Sequence, residues 1–183
     1  MTTPRFFGYG SLVNLATHDY PDPQPARLTG WRRVWRHTSL REMAFLSVEP
    51  CDLTTLWGVT AAVPNSDWAA LDEREFAYGR RDCGHQMDTP HGQVAVYEVD
   101  QGIINDPDVA HPILLSYLDV VVQGYMRVFG AEGAAHFFDT TTGWNGPIRN
   151  DRAAPIYPRA QILTDDERAT VDRFIAERGI LLV

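Results

Sequence analysis

The chain is poor in the features that mark several large classes of protein. Its 183 residues include only two cysteines, Cys51 and Cys83, which are too few for a disulfide framework and which we interpret as ordinary thiols. It contains no apolar stretch of membrane-spanning length. Residues 1–5 lack the apolar run of a signal peptide. We therefore expect a protein of the reduced cytoplasm without a membrane partner.

Basic residues are also scarce relative to acidic ones. The chain carries 16 Lys and Arg against 24 Asp and Glu, which gives a formal net charge of −8. Because nucleic acids are bound through basic surfaces, this balance argues against nucleic acid as a partner. The alternating aromatic and basic residues of Trp31–Arg36 are then best interpreted as a strand whose long arginine stems cover apolar surface.

The predicted elements are strands first and helices later. Predicted strands cover Phe6–Tyr9, Ala26–Thr38, Phe45–Val48, Leu56–Val63 and Gln93–Val99. Predicted helices cover Pro64 to Glu75, the stretch from Pro112 to Gly130, Ala131–Phe138, and a last helix that a Thr164–Glu167 capping box opens and Gly179 ends. Little βαβ alternation is present, so we expect one α+β domain over residues 1–183. Five or six strands in so small a domain predict a mixed or antiparallel β-barrel with surrounding helices.

A glycine-rich segment, Phe7–Leu12, follows the first predicted strand. It lacks the third glycine of a dinucleotide fingerprint and the lysine of a phosphate loop. Ser11 is followed by Leu12 and Val13, so the segment is not a nucleophile elbow either. Two glycines would let backbone N–H groups approach a ligand closely. A tight turn with a purely structural role is at least as compatible with these residues.

Several carboxylates lie near the end of the short helix before residue 76. Asp72 and Glu73 fit a solvated charged face. Glu75 differs, because it lies at the helix end and is flanked by Phe76 and Tyr78, which we expect to desolvate it. It also has no obvious ion-pair partner. A carboxylate whose neutral form is favoured suits a general acid/base near neutral pH.

Two further groups of polar residues are candidates for a site. Cys83, His85 and His91 match no common zinc spacing and lack a fourth ligand, so we interpret them as a loop with incidental histidines and predict no metal site. The late loop, residues 144–160, holds three prolines and is predicted to wrap the core. Its polar residues and Tyr157 either fix this loop or line a pocket, and we favour the first.

The glycine loop and the Glu75 segment, in this order and separation, resemble the gamma-glutamylcyclotransferase-like superfamily, which includes the glutathione-specific ChaC-type enzymes and the AIG2-like proteins. The resemblance rests on Phe7–Leu12 and on Leu71-Asp72-x-x-Glu75 with Tyr78 after it. Leu28–Arg33 and Leu56–Val59 also look like the central strands of that group. It extends over roughly the first hundred residues.

The resemblance implies a function and a site. A glutamate matching Glu75 would act as acid and base while the α-amine of a γ-glutamyl compound attacks its own γ-carbonyl and releases 5-oxoproline. The loop would hold the amino-acid end of that substrate. The implied substrate-binding residues are Tyr9, Gly10, Ser11, Leu12 and Tyr78. No cofactor or metal is implied, the partner is a small γ-glutamyl compound, and the protein is expected to be a monomer or homodimer.

Two alternatives remain open. The same fold could serve as a non-catalytic module that binds a small molecule or a partner, or as a γ-glutamyl amide hydrolase in which Glu75 activates water. The surroundings of Glu75 discriminate between catalysis and binding. A water-exposed, ion-paired Glu75 favours a binding module, whereas a carboxylate in an apolar-walled cavity beside Gly10 favours catalysis.

Overall fold

The computed structural model describes residues 3–89, 92–105 and 110–183. The strands are β1 (Arg5–Gly8), β2 (Gln24–His37), β3 (Ala44–Ala62), β4 (Tyr78–Asp82), β5 (Val94–Val99), β6 (Ile113–Leu114), β7 (Thr141–Thr142) and β8 (Ile148–Arg149). The helices are α1 (Ala69–Arg74), α2 (Leu115–Phe129), α3 (Ala131–Asp139) and α4 (Asp165–Glu177).

Six strands form one mixed sheet in the order β4-β5-β1-β3-β2-β7. The pairs β1–β5 and β2–β7 are parallel, and the other neighbours are antiparallel. The predicted α+β class is confirmed. Within the described residues no pairing joins β4 to β7, although an isolated antiparallel bridge joins Leu28 of β2 to Met87, so the predicted β-barrel is not confirmed.

The largest departure from expectation is the length of β3. The two strands predicted at Phe45–Val48 and Leu56–Val63 are parts of a single strand, Ala44–Ala62. Its middle part is polar and largely exposed, so hydrophobic patterning did not detect it. This part is held as a strand by pairing with β2, whose register shifts between Thr29 and Trp31.

The helices after residue 112 are largely as predicted. α2 ends at Gly130, which has a φ of 70° that glycine adopts easily. Thr164 and Glu167 form the predicted capping box of α4. In the first half, Pro64–Ser66 forms only a 3-10 turn, and α1 begins later than predicted, at Ala69. Strand β4, which pairs with β5 directly after α1, was not predicted.

The sheet and α2 share the main hydrophobic core. α2 contributes apolar side chains that are fully buried, among them Leu118, Val121 and Val122. A second, smaller cluster unites Phe6, Leu12 and Leu71. This cluster joins the N-terminal strand to α1, so it brings the glycine loop and the end of α1 to the same side of the sheet. None of the helices described is both long and apolar enough to cross a membrane.

Gly58 allows the close approach of β3 to β1 next to the glycine loop. A Cβ at this position would lie 2.3 Å from the carbonyl oxygen of Gly8 and 2.6 Å from Cζ of Phe7. Because backbone must shift to accept it, we predict that Gly58→Ala destabilises the protein by about 1–3 kcal/mol in urea unfolding. Gly79→Ala in β4 is the control, since a Cβ there would meet no atom within 4 Å. Equal unfolding midpoints for the two variants would contradict this packing.

Candidate active site

The glycine loop and the end of α1 meet in space. Gly10, Ser11, Glu75 and Tyr78 line one small recess of about 30 Å³, which is room for roughly one water molecule. The recess adjoins a cleft of about 270 Å³, because Ser11, Glu75 and Tyr78 line both. This arrangement suits a small ligand that places one end in the narrow recess and the rest in the wider cleft.

Glu75 follows directly after α1, where its N–H donates to the carbonyl of Leu71 at 2.9 Å. Its side chain is only 18% exposed. Burial raises the pKa of the Glu75 carboxyl above its ordinary value, and the nearby guanidinium groups of Arg74 and Arg159 oppose this shift without cancelling it. The carboxyl therefore exchanges a proton at a pH closer to neutral than an exposed glutamate does.

Two details of the Glu75 surroundings differ from expectation. Nε of Arg74 lies 3.3 Å from the Glu75 carboxylate, so the expectation that Glu75 has no ion-pair partner was wrong. Adjacent residues on a short helix seldom face each other, which is why the sequence did not suggest this pair. Phe76 is 61% exposed and lines the cleft but not the recess. The apolar cover comes instead from Tyr78 and Tyr117.

The glycine loop turns into a short 3-10 helix, Ser11–Val13, in which the N–H of Val13 donates to the carbonyl of Gly10 at 3.0 Å. The N–H groups of Ser11 and Leu12 have no partner within this turn, and the Ser11 N–H faces the Tyr117 hydroxyl. A Cβ on Gly10 would lie 2.8 Å from the Tyr117 hydroxyl, so glycine is required for this approach. The Leu12 side chain packs in the smaller core cluster, so only its backbone can face a ligand.

Tyr9 has a supporting position. Its side chain is buried, and its hydroxyl donates to the carbonyl of Tyr97 at 2.6 Å. Its own carbonyl accepts a hydrogen bond from Nε of Arg33 at 2.9 Å. Arg33 is fully buried, so for this arginine the expectation of a stem that covers apolar surface is replaced by a guanidinium inside the core. Tyr9 thus contributes backbone to the recess and rigidity to the loop.

Tyr78, Tyr117 and Tyr157 surround the cleft. Tyr78 donates to the carbonyl of Leu46 at 2.9 Å, and the Tyr117 ring contacts the Tyr157 ring edge-on at 5.0 Å. Burial raises the pKa values of Tyr78 and Tyr117, so both hydroxyls stay protonated at neutral pH. Sequence reasoning did not single out Tyr117, which lies within the helix predicted between Pro112 and Gly130. The sequence signal that could have identified Tyr117 is its hydroxyl, which lies on an otherwise apolar face of the predicted helix.

The late loop reaches this cleft because a buried carboxylate anchors it. Asp151 accepts hydrogen bonds from the N–H of Ser116 at 2.7 Å, from the Ser116 hydroxyl at 2.5 Å and from the N–H of Ile156 at 2.9 Å. The N–H of Tyr157 donates in turn to the Ser116 hydroxyl at 3.3 Å. The two roles expected as alternatives for this loop therefore occur together: hydrogen bonds fix the loop, and the loop lines a pocket.

The other candidates lie apart from this cleft. Asp72 accepts a hydrogen bond from the Tyr97 hydroxyl at 2.6 Å, and Glu73 is exposed. A larger groove of about 670 Å³ is lined by different residues, and its charged residues Asp139 and Arg178 pair with each other at 2.6 Å. That groove offers no titratable group free for chemistry, so we place the candidate active site in the smaller cleft.

The histidines and cysteines do not gather into a site. Within residues 3–89, 92–105 and 110–183, no three or more His, Cys, Asp or Glu residues are arranged to hold a metal ion. Cys83 is fully buried, and burial raises the pKa of its thiol to about 12. His91 lies outside the described residues.

Comparison with known proteins indicates the fold family. No family model and no curated protein matches the chain. Solved structures do match it. A gamma-glutamyl cyclotransferase aligns over 93% of this chain and 99% of its own, with a TM-score of 0.59 and 13% identity. An uncharacterized protein from Homo sapiens aligns over 94% of this chain and 99% of its own, with a TM-score of 0.60 and 14% identity.

YkqA from Bacillus subtilis also aligns, over 78% of this chain, with a TM-score of 0.58 and 18% identity. The chain spans 57% of the length of YkqA. At these identities the agreement concerns the backbone and not the chemistry. These matches agree with the resemblance noted from the glycine loop and the Glu75 segment: the chain shares its fold with a gamma-glutamyl cyclotransferase.

Proposed function

We propose that this protein is a gamma-glutamylcyclotransferase-type enzyme that releases 5-oxoproline from a γ-glutamyl amide or peptide. One observation carries the proposal: Glu75 is a buried carboxyl with a raised pKa, and it lines the same recess as the Gly10–Ser11 loop. A titratable group that burial perturbs inside a cleft is the pattern expected of an acid/base catalyst. The fold shared with a gamma-glutamyl cyclotransferase supports the assignment by analogy.

The proposed reaction is an intramolecular transfer. The α-amine nitrogen of the substrate attacks its own γ-carbonyl carbon, so a new carbon–nitrogen bond closes the five-membered ring. The amide bond to the leaving nitrogen then breaks. The Glu75 carboxylate takes the proton from the attacking amine and gives it to the leaving nitrogen, which balances the reaction without water or cofactor. Because nucleophile and electrophile belong to one molecule, holding them in the reactive geometry supplies much of the rate.

The glycine loop holds the substrate in this proposal. N–H groups around Gly10 and Ser11 bind the α-carboxylate of the γ-glutamyl group or the oxyanion that develops on its γ-carbonyl. Tyr117 lies against Gly10 with a protonated hydroxyl, so it adds a donor at the same place. Tyr78 lines the recess with Glu75, and in this proposal it keeps water from the proton transfer.

A second candidate is a non-catalytic binding module, and one contact favours it. Arg74 pairs with Glu75 at 3.3 Å, and an ion pair is a common structural use of a carboxylate. The low exposure of Glu75 and its place in the recess favour catalysis over this reading. Substitution of Glu75 separates the two candidates, because only the enzyme requires its proton transfer.

We predict that Glu75→Gln lowers 5-oxoproline release by at least about 100-fold, because an amide cannot accept and return the proton. Release from glutathione, γ-glutamyl dipeptides and γ-glutamylamines is measured by chromatography with folded protein, as judged by circular dichroism. Glu73→Gln is the matched control, since Glu73 is exposed on the same helix and is expected to retain activity. Full activity in Glu75→Gln would refute the catalytic role of Glu75. The proposed function itself would be refuted by a folded wild-type protein that releases no 5-oxoproline from any of these compounds.

The pH dependence of kcat/KM tests the Arg74–Glu75 pair. Glu75 must be ionised to accept a proton, so activity falls as pH drops through its pKa. Arg74 lowers that pKa, and we predict that Arg74→Met moves the acidic limb of the profile to higher pH. Protonation of the substrate amine affects the wild-type protein and Arg74→Met equally, so it does not contribute to the difference between their pH profiles. The control is Arg80→Met, which removes a guanidinium paired with Asp72 and is expected to leave the acidic limb of the pH profile in place. An acidic limb that stays in place or moves to lower pH in Arg74→Met would contradict the prediction.

A further inference from the structure

The cleft carries positive charge in a protein that is acidic overall. Three arginines and one carboxylate line it, namely Arg41, Arg74, Arg159 and Glu75, while the whole chain has a formal net charge of −8. Arg74 is paired with Glu75. None of the ion pairs formed among the described residues includes Arg41 or Arg159. Two guanidinium groups are therefore available to an anion that enters the cleft.

These two arginines lie outside the recess, although Arg159 is close enough to Glu75 to lower the pKa of its carboxyl. Arg41 and Arg159 line the outer cleft but not the recess that Gly10, Ser11 and Glu75 form. Both are exposed, as expected of groups at the mouth of a cleft. A substrate with its γ-glutamyl group in the recess would extend its leaving half towards them.

The Arg41 side chain and the Arg159 backbone are restrained by neighbouring structure. The Arg41 guanidinium lies 5.8 Å from the centre of the Phe76 ring, which is a cation–π contact. Arg159 follows Pro158 in the loop that Asp151 anchors, and proline restricts the backbone on that side. Side chains positioned before binding lose less conformational entropy when a ligand arrives.

We propose that Arg41 and Arg159 bind a carboxylate on the leaving half of the substrate. The substrates are then γ-glutamyl amino acids or peptides with a free carboxylate, and γ-glutamylamines without one are poor substrates. This inference rests on the proposed function for the identity of the γ-glutamyl half. Its chemical basis is independent of that function, because guanidinium groups bind carboxylates through paired, charge-assisted hydrogen bonds.

A matched pair of compounds tests the inference. γ-Glutamylglycine carries the leaving-group carboxylate, and γ-glutamylglycinamide replaces it with a neutral amide of nearly the same shape. We expect the wild-type protein to have a kcat/KM about tenfold higher for the acid, mainly through a lower KM, and this preference to shrink with added salt. At a pH where Glu75 is ionised in both proteins, the double variant Arg41→Met/Arg159→Met is expected to lose the preference, with its kcat/KM falling much more for the acid than for the amide. This pH is needed because Arg159 also lowers the pKa of Glu75. Arg149→Met, an exposed arginine that does not line the cleft, controls for net charge.

The outcomes separate this inference from the proposed function. Equal kcat/KM values for the two compounds in the wild-type protein would overturn the inference and leave the function intact. An equal loss for both compounds in the double variant would overturn it as well, since the arginines would then serve the γ-glutamyl half or the fold. If neither compound yields 5-oxoproline, calorimetric binding of the same two compounds to the wild-type protein still decides the inference: tighter binding of the acid that is lost in the double variant supports it, and equal binding overturns it. The proposed function itself fails only if glutathione, the other γ-glutamyl dipeptides and the γ-glutamylamines yield no 5-oxoproline either.

Discussion

The buried guanidinium of Arg33 is the interaction on which the rest of the structure depends. It donates to the carbonyl of Tyr9 at 2.9 Å, to the carbonyl of Trp57 at 2.8 Å and to the hydroxyl of Thr140 at 2.6 Å, and it also contacts the hydroxyl of Tyr125. These partners lie at the end of β1, on β3, after α3 and on α2. Arg33 is fully buried and belongs to none of the ion pairs among the described residues, so these hydrogen bonds must offset the cost of desolvating its charge.

Holding the Tyr9 carbonyl fixes the glycine loop at the point where β1 ends. The loop is then in place for the three other parts of the site, each of which arrives from a different element. Glu75 lies at the end of α1 and Tyr117 on α2. Tyr157 and Arg159 belong to the loop anchored by Asp151. Buried hydrogen bonds tie α2 to Asn14 and the late loop to Ser116, and the packing of Leu71 ties α1 to the core. These attachments make the site rigid, which suits a reaction that depends on positioning.

Sequence reasoning found the parts of this architecture that local signals encode. The glycine pattern of the loop, the helix that ends at Gly130 and the capping box at Thr164 all follow from short-range backbone chemistry. It could not find features that depend on distant partners. The burial of Arg33 and the site position of Tyr117 arise only when separate elements pack together, and the exposed middle of β3 is a strand only because β2 pairs with it.

The central claim is that the substrate's own amine, and not water, attacks the γ-carbonyl while Glu75 moves the proton. Mass spectrometry of the products formed from γ-glutamylglycine in water enriched in oxygen-18 tests it most directly. The account predicts 5-oxoproline that contains no oxygen-18, because no water enters the reaction, together with free glycine. Glutamate carrying one oxygen-18 would show that water is the nucleophile and would contradict the account.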